Sequence, residues 1–361
     1  MSQSTVPPQA VLAMAARAML LGRGEWTAEQ LQAMPDDEVI DLIIRDIRPN
    51  QAAQEPYVEP PDLKQAKPAT HRRALLPERY PQSDLFICDV IDASVKDITG
   101  QMEHPIYSLS KKPDLTIRRY EHNGVNLEVT PSVKGIATIY DKDILIYAIS
   151  QLMAKLNSDI PPQRTIRMKA YDLLVSTNRG VSGREYNQLE EAFERLAGTR
   201  LKTDVRTNDE RTRHGFGLIE SWKIVERRSD NRMDWVEVTL SEWMYRAVLA
   251  EEVLTLHRDY FRLGSPIDRR LYELARKHCG LQQEWRIGLA LLQKKTGSRS
   301  SLREFREAIR ERSESDHIPE YRVFLDEETD QVVFRRRRPD EARAEEGDQA
   351  PDSSPQSEAD T

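Results

Sequence analysis

Three arginines recur along one face of a predicted helix near the C-terminal end of this 361-residue chain: Arg303, Arg306 and Arg310, at positions i, i+3 and i+7. A guanidinium fork donates two parallel hydrogen bonds, which suits the two major-groove acceptors of guanine or the oxygens of a phosphate. Residues 285–310 hold seven basic and two acidic groups, a net charge of +5. The pattern predicts contact with duplex DNA. The alternative is a solvated helix face neutralised by its two glutamates.

Other polar side chains lie next to these arginines in the sequence. In the turn before the helix they are Lys294, Lys295, Ser298, Arg299 and Ser300, and after it comes a run of Arg335, Arg336, Arg337 and Arg338. The run predicts a β-hairpin wing that grips phosphates, and each such contact would steepen the salt dependence of binding. The alternative is a solvated run that attracts the acidic tail directly after it.

A second set of candidate DNA-contacting residues lies earlier in the chain. It consists of Arg179, Arg184, Asn187 and Gln188. Asn and Gln side chains pair bidentately with adenine. However, residues 178–213 contain eight basic and seven acidic groups, a net charge of only +1. A structural or dimer-forming role for this region therefore remains open.

A repeated phrase indicates the elements that position both sets. Ser182-Gly-Arg-Glu-Tyr recurs 119 residues later as Ser301-Leu-Arg-Glu-Phe, and each phrase is a capping box at the start of a helix. Each stands at the same place in a series of three helices followed by a β-hairpin, which describes a winged helix, a variant of the helix-turn-helix. The predicted fold class is α+β, with tandem winged-helix domains.

The predicted elements follow from apolar periodicity and turn residues. In the first copy they are a hairpin of strands 115–120 and 125–129 around Asn123-Gly124, helices 143–156 and 167–176, a helix from Ser182, and strands 200–206, 217–225 and 235–240. In the second copy they are a helix from Ser265-Pro266, a short helix through Ile287, Leu291 and Leu292, a helix from Ser301, and strands 321–325 and 332–336.

Composition divides the chain into five predicted parts. These are a short helical segment (1–48), a Pro-rich linker (49–77), winged-helix domain 1 (78–250), winged-helix domain 2 (251–338) and a disordered acidic tail (339–361). The tail carries eight acidic groups and one basic group, so it accounts for the whole formal charge of −7. The acidity of the chain therefore does not argue against a nucleic-acid partner.

Enzymatic and membrane functions find little support. Two cysteines 191 residues apart exclude a disulfide scaffold or a zinc site of paired cysteines, and there is no P-loop and no His-x-His pair. Asp84, Asp89, Asp92 and Asp97 could suggest a metal-dependent nuclease, but helix caps and turns explain them better. The longest apolar stretch is too short to span a bilayer. We expect a cytoplasmic, non-enzymatic protein with no cofactor, no metal and no membrane partner.

Several long phrases resemble a known family. They are Met102-Glu-His-Pro-Ile-Tyr-Ser-Leu-Ser-Lys-Lys-Pro, Arg119-Tyr-Glu-His-Asn-Gly, Val129-Thr-Pro-Ser-Val-Lys-Gly, Thr138-Ile-Tyr-Asp-Lys-Asp and Tyr260-Phe-Arg-Leu. On these phrases the chain resembles the bacterial plasmid replication initiator protein A family over about residues 78–338. The N-terminal segment and the tail lie outside the resemblance.

The resemblance implies a function beyond DNA contact. Such initiators are two-winged-helix proteins that bind repeated origin sites (iterons), help to open the origin, and recruit the host initiator DnaA and the replicative helicase. They exist as monomers and dimers, and the dimers often repress their own gene. Two other interpretations stay open, a tandem winged-helix transcriptional repressor without a replication role and, less favoured, a DNA-nicking enzyme.

Overall fold

Helices and strands alternate along this chain in the mixed order of an α+β protein. The computed structural model describes residues 75–80, 94–122, 125–158, 160–207, 210–227 and 233–337, which all belong to one compact unit. The predicted helical segment 1–48, the tail 339–361 and nearly all of the linker 49–77 lie outside the described residues.

The described residues form eight α-helices and one 3-10 helix. The α-helices are α1 (Thr99–Glu103), α2 (Lys142–Asn157), α3 (Ala170–Ser176), α4 (Gly183–Gly198), α5 (Glu242–Leu249), α6 (Pro266–His278), α7 (Leu289–Thr296) and α8 (Leu302–Ser315), and the 3-10 helix is Arg258–Arg262.

The same residues form twelve strands. They are β1 (Lys96–Ile98), β2 (Arg118–His122), β3 (Val125–Thr130), β4 (Thr165–Lys169), β5 (Arg200–Thr207), β6 (Glu210–Gly217), β7 (Ile219–Glu226), β8 (Met233–Leu240), β9 (Val253–Thr255), β10 (Glu284–Gly288), β11 (Tyr321–Asp326) and β12 (Gln331–Arg336).

The predicted duplication appears as two series with the same order and the same strand pairing. The first series is α2, β4, α3, α4, β7 and β8, with an antiparallel sheet in the order β4-β8-β7. The second is α6, β10, α7, α8, β11 and β12, with a sheet in the order β10-β12-β11. In both series the strand before the second helix pairs with the last strand of the hairpin. The matching serines, Ser182 and Ser301, are the N-cap residues of α4 and α8.

Sequence patterns missed the first strand of each series. The predicted helix 167–176 begins only at Ala170, because residues 165–169 form β4, with Ile166 and Met168 buried and β8 as its partner. Ile287, predicted to be helical, lies in β10 beside β12. Five residues are too few for periodicity to separate a strand from a helical turn, so pairing with a distant strand decides the outcome.

A four-stranded antiparallel sheet, in the order β2-β3-β5-β6, adds to the first series. The predicted hairpin is confirmed, since β2 pairs with β3 from Arg118↔Val129 to His122↔Val125. The predicted strand 217–225 is confirmed as β7, which begins two residues later, at Ile219, because Gly217 is the last residue of β6. The chain leaves β6 at Gly217 and starts β7 at Ile219, and a Cβ on Gly217 would lie 2.9 Å from the carbonyl oxygen of Ile219. Glycine therefore allows this sharp corner.

A buried ion cluster joins the first helices of the two series, α2 and α6. The ammonium of Lys142 lies 2.6 Å from a carboxylate oxygen of Asp97 and 2.8 Å from one of Glu273, and these side chains are at most 1% exposed. The phenol of Tyr260 donates a 2.7 Å hydrogen bond to Glu273, which also pairs with Arg270 at 3.0 Å. Unpaired charges are costly in an apolar interior, so separating these elements would leave buried charges without partners.

His104, which follows α1, is a half-buried base in the same region. Its ring packs edge-on against Tyr120 with the centroids 5.9 Å apart. Burial lowers the pKa of His104 from 6.5 to about 4, and although Glu103 opposes this shift, nearby cations add to it. From pH 6.5 downward the unfolded chain therefore binds a proton that the folded chain does not. The stability that His104 contributes is complete above pH 6.5 and is lost as the pH falls towards 4.

We therefore expect a pH-dependent difference between wild type and the variant His104→Gln. Lowering the pH from about 7 to about 5 should reduce the free energy of unfolding by about 1–2 kcal/mol more in wild type than in the variant. Urea unfolding at the two pH values measures this difference. An equal pH dependence in both proteins would contradict the role of His104.

Candidate nucleic-acid interface

The turn between α7 and α8 is built by a glycine and a complete capping box. Gly297 ends α7 with φ 74°, and a Cβ there would lie 2.8 Å from the Cβ of Pro105, so both backbone and space require glycine. The hydroxyl of Ser301 accepts the N–H of Glu304 at 3.2 Å, and the carboxylate of Glu304 accepts the N–H of Ser301 at 2.8 Å. The capping box predicted at Ser301 is thus confirmed, and it fixes where α8 begins. The capping box predicted at Ser182 is not formed, because that side chain makes no cap hydrogen bond to the backbone.

The inner face of α8 is tied to α6 by a buried carboxylate. Asp268 lies 2.7 Å from the guanidinium of Arg312 and 2.9 Å from the imidazole of His317. Burial alone would raise the pKa of Asp268, but the hydrogen bond from His317 and the charge of Arg312 bring it below the usual range. Together with buried Phe305 and Ile309, this contact determines which face of α8 reaches solvent.

The three predicted arginines of α8 differ in their contacts. Arg303 is exposed, and no ion pair involves it among the described residues. Arg306 pairs with Asp330. Arg310 lies 2.7 Å from Glu327 and also pairs with a glutamate on its own helix. Two of the three arginines therefore form ion pairs with the tip of the β11–β12 hairpin.

The candidate residues before α8 also differ in their contacts. Ser298 and Ser300 lie with their hydroxyl oxygens 2.9 Å apart. Arg299 is exposed, and its guanidinium lies 3.3 Å from Asp114. Lys294 is exposed, with its ammonium 5.7 Å from the ring centre of Tyr120.

Lys295 lies in the interior. It is 5% exposed, and its ammonium pairs with Glu103. Its charge therefore neutralises a carboxylate and is not presented to a ligand. Neighbouring residues on a helix point in different directions, so Lys295 points towards the core while Lys294 is exposed. Two adjacent lysines in the sequence do not reveal this difference.

The arginine run lies at the base of the β11–β12 hairpin, and the tip is residues 327–330. Arg335 pairs with Glu284 at 3.1 Å, and Arg336 is exposed. Arg337 is largely buried and pairs with Asp316 at 2.9 Å. Arg338 lies outside the described residues. The wing contact predicted for this run stays a prediction, and the described part of the run lies away from the hairpin tip.

In the first series, three of the four candidates are exposed at the start of α4: Arg184, Asn187 and Gln188. Arg179 pairs instead with Asp143 at 3.1 Å. The segment 75–80 lies over the turn before α4, where the hydroxyl of Tyr80 donates a 2.9 Å hydrogen bond to the carbonyl of Arg179. This segment also contacts the 3-10 helix, through a pair of Arg258 with Glu78 at 2.6 Å.

Sequence reasoning missed the carboxylates that partner these cations. Glu103 and Asp114 stand about 190 residues before their partners, so no local spacing reveals them. Glu327 and Asp330 lie in an acidic turn between the predicted strands 321–325 and 332–336, and the hairpin geometry brings such a turn beside α8.

The residues considered for catalysis have structural partners where they are described. Asp97 is paired with Lys142, whereas Asp84, Asp89 and Asp92 lie outside the described residues. In the described ranges, His, Cys, Asp and Glu side chains do not gather in threes or more around a possible metal position. Every helix in this part of the chain is too short or too polar to span a bilayer.

This chain is similar to a protein family, to a relative in another organism and to a solved structure. The sequence model of the family described as Replication initiator protein A matches residues 96–323. A "Putative replication protein" of Wigglesworthia glossinidia brevipalpis is 36% identical over 270 residues, which cover 74% of this chain and 98% of that protein. A crystal structure of domains 2 and 3 of RctB superposes with a TM-score of 0.51 over 66% of this chain and 98% of that chain. At 13% identity, the last match shows a shared fold alone.

Proposed function

We propose that this chain, which belongs to the replication initiator protein A family, initiates plasmid replication by binding repeated duplex-DNA sites at an origin. Bound there, it promotes opening of the duplex and recruits host replication proteins, for which DnaA and the replicative helicase are the candidates. It has no chemistry of its own, and it exchanges between monomer and dimer.

The proposal treats each series as a winged helix. Each has three helices, a hairpin, and a short strand that pairs with the last strand of that hairpin. In this arrangement the third helix enters the major groove by its N-terminal residues. The second series is the main DNA-binding module, with α8 as its recognition helix.

The observation that carries the proposal is the exposure of the Arg303 side chain. It lies in the first turn of α8, exposed and without an ion pair among the described residues. A guanidinium in this position can read guanine bidentately without first breaking an internal contact. Lys294, Ser298, Arg299 and Ser300 in and before the turn supply phosphate contacts beside it.

The structure changes the proposed contact set in two ways. Lys295 and Arg337 are left out, because both are largely buried and paired. Arg335 and Arg336 are left out because they lie at the hairpin base. In the first series, Arg184, Asn187 and Gln188 form a second, weaker contact at the start of α4.

Replication in trans tests the proposal. A plasmid that carries the DNA flanking this gene as its sole origin is introduced into cells that express the protein from another replicon. We expect stable maintenance of the plasmid, and its loss when the flanking direct repeats are deleted. Binding to the repeats without maintenance would instead support the transcriptional repressor. A nicked strand with a covalent tyrosine–DNA adduct would support the enzyme and contradict a protein without chemistry.

A further inference from the structure

The tip of the β11–β12 hairpin presents carboxylates at the place where a wing approaches DNA. Three of its four residues are acidic: Glu327, Glu328 and Asp330. The turn is ordered by Asp326, whose carboxylate accepts the N–H groups of Glu328 at 3.2 Å and Thr329 at 3.3 Å. The acidic side chains therefore project from a defined loop.

Two of these carboxylates contact the recognition helix proposed above. Glu327 accepts a 2.7 Å hydrogen bond from the guanidinium of Arg310, and Asp330 pairs with Arg306. Glu328 makes no ion pair among the described residues, although it belongs to the same tip. The tip thus neutralises the arginines of the second and third turns of α8 and leaves Arg303, in the first turn, unpaired.

These ion pairs are exposed enough for another anion to replace the carboxylate. The side chains of Glu327 and Asp330 are 60% and 46% exposed, and those of Arg310 and Arg306 are 36% and 28% exposed. Exposed pairs contribute little stability, typically below about 1 kcal/mol. A phosphate can therefore displace a carboxylate, but each displacement gives back part of the binding energy of the new contact.

We propose that Glu327 and Asp330 determine specificity by competing with DNA phosphates for Arg310 and Arg306. This inference rests on the proposed function, with α8 as the recognition helix. Non-specific binding depends almost entirely on the number of phosphates neutralised. Competition for two arginines therefore lowers non-specific affinity most, whereas a cognate site keeps its base contact with Arg303. The hairpin tip raises the ratio of specific to non-specific affinity.

The double variant Glu327→Gln/Asp330→Asn tests this competition, with Glu328→Gln as the matched control. Each binds a random duplex and a duplex carrying the origin repeats over a range of salt concentrations. For the double variant we expect about tenfold tighter binding to random DNA at about 0.1 M salt, and a salt slope steeper by about one to two contacts. Affinity for the origin repeats should change less, so the specificity ratio falls. Glu328→Gln should stay within about twofold of wild type on both duplexes.

Three results would overturn the inference. Unchanged binding to random DNA would show that the carboxylates do not compete, and weaker binding would show that they position the arginines for contact. An equal gain in affinity for random DNA in Glu328→Gln would show that the effect comes from net charge alone. Failure of the proposed function looks different, because wild type itself would then show no preference for the origin repeats.

Discussion

Replacing Lys142 by methionine should lower the free energy of unfolding by about 3–5 kcal/mol. The change removes the cation that lies between Asp97 and Glu273 and leaves Asp97 buried without its counter-ion. Burial already raises the pKa of the Asp97 carboxyl, and Lys142 opposes that shift. Without Lys142 the folded variant holds a proton on Asp97 to higher pH than the folded wild type does. The deficit should therefore be largest near neutral pH and smaller as the pH falls.

Urea unfolding at two pH values measures this effect, and a second substitution provides its control. In Lys142→Met/Asp97→Asn the buried negative charge is also removed, while Glu273 keeps Arg270 and Tyr260. We expect the double variant to recover a large part of the lost stability. A loss that is the same at both pH values and is not reduced by Asp97→Asn would indicate a packing defect instead of an uncompensated charge.

Arg303→Ala should weaken binding to the origin repeats by about 1–3 kcal/mol, the energy of one bidentate base contact. Binding to random DNA should weaken much less, because the removed contact is to a base. Arg303→Lys keeps the positive charge but cannot donate two parallel hydrogen bonds. Its affinity for the origin repeats should therefore be as low as that of Arg303→Ala, and its affinity for random DNA should equal that of wild type. Competition binding with both duplexes measures these differences.

Arg336→Ala is the matched control for Arg303→Ala. Arg336 is also an exposed arginine without an ion pair among the described residues, but it lies at the base of the hairpin. We expect unchanged affinity and an unchanged salt slope. Equal losses for Arg303→Ala on both duplexes would reduce its role to phosphate contact, and a loss for Arg336→Ala would bring the hairpin base into the interface.

Local signals predicted much of the fold. Asn123-Gly124 predicted the β2–β3 hairpin, Ser265-Pro266 predicted the start of α6, and the capping box at Ser301 predicted the start of α8. Each signal concerns residues a few positions apart, whose geometry depends little on the remainder of the chain. The five-residue repeat extended this local information to the order of elements in both series.

Features that depend on distant partners were not predictable. β4 and β10 exist because β8 and β12 pair with them. At the candidate interface, arginine spacing identified Arg303 but could not distinguish it from Arg306, whose partner Asp330 becomes a neighbour only after the hairpin folds. Lys295 was misplaced for the same reason, since its partner Glu103 lies at the end of α1, far away in the sequence. A pattern of charges predicts where cations occur but not which of them are already neutralised.

The cluster of Lys142, Asp97 and Glu273 also limits how this protein can change by recombination. The two series share the same architecture, and Lys142 of the first pairs with Glu273 of the second as well as with Asp97. Although Arg270 also pairs with Glu273, the contact between α2 and α6 needs both Lys142 and Glu273. A chimera that takes one series from a relative keeps this contact only when the donor supplies the matching charge, so these two positions must be altered as a pair.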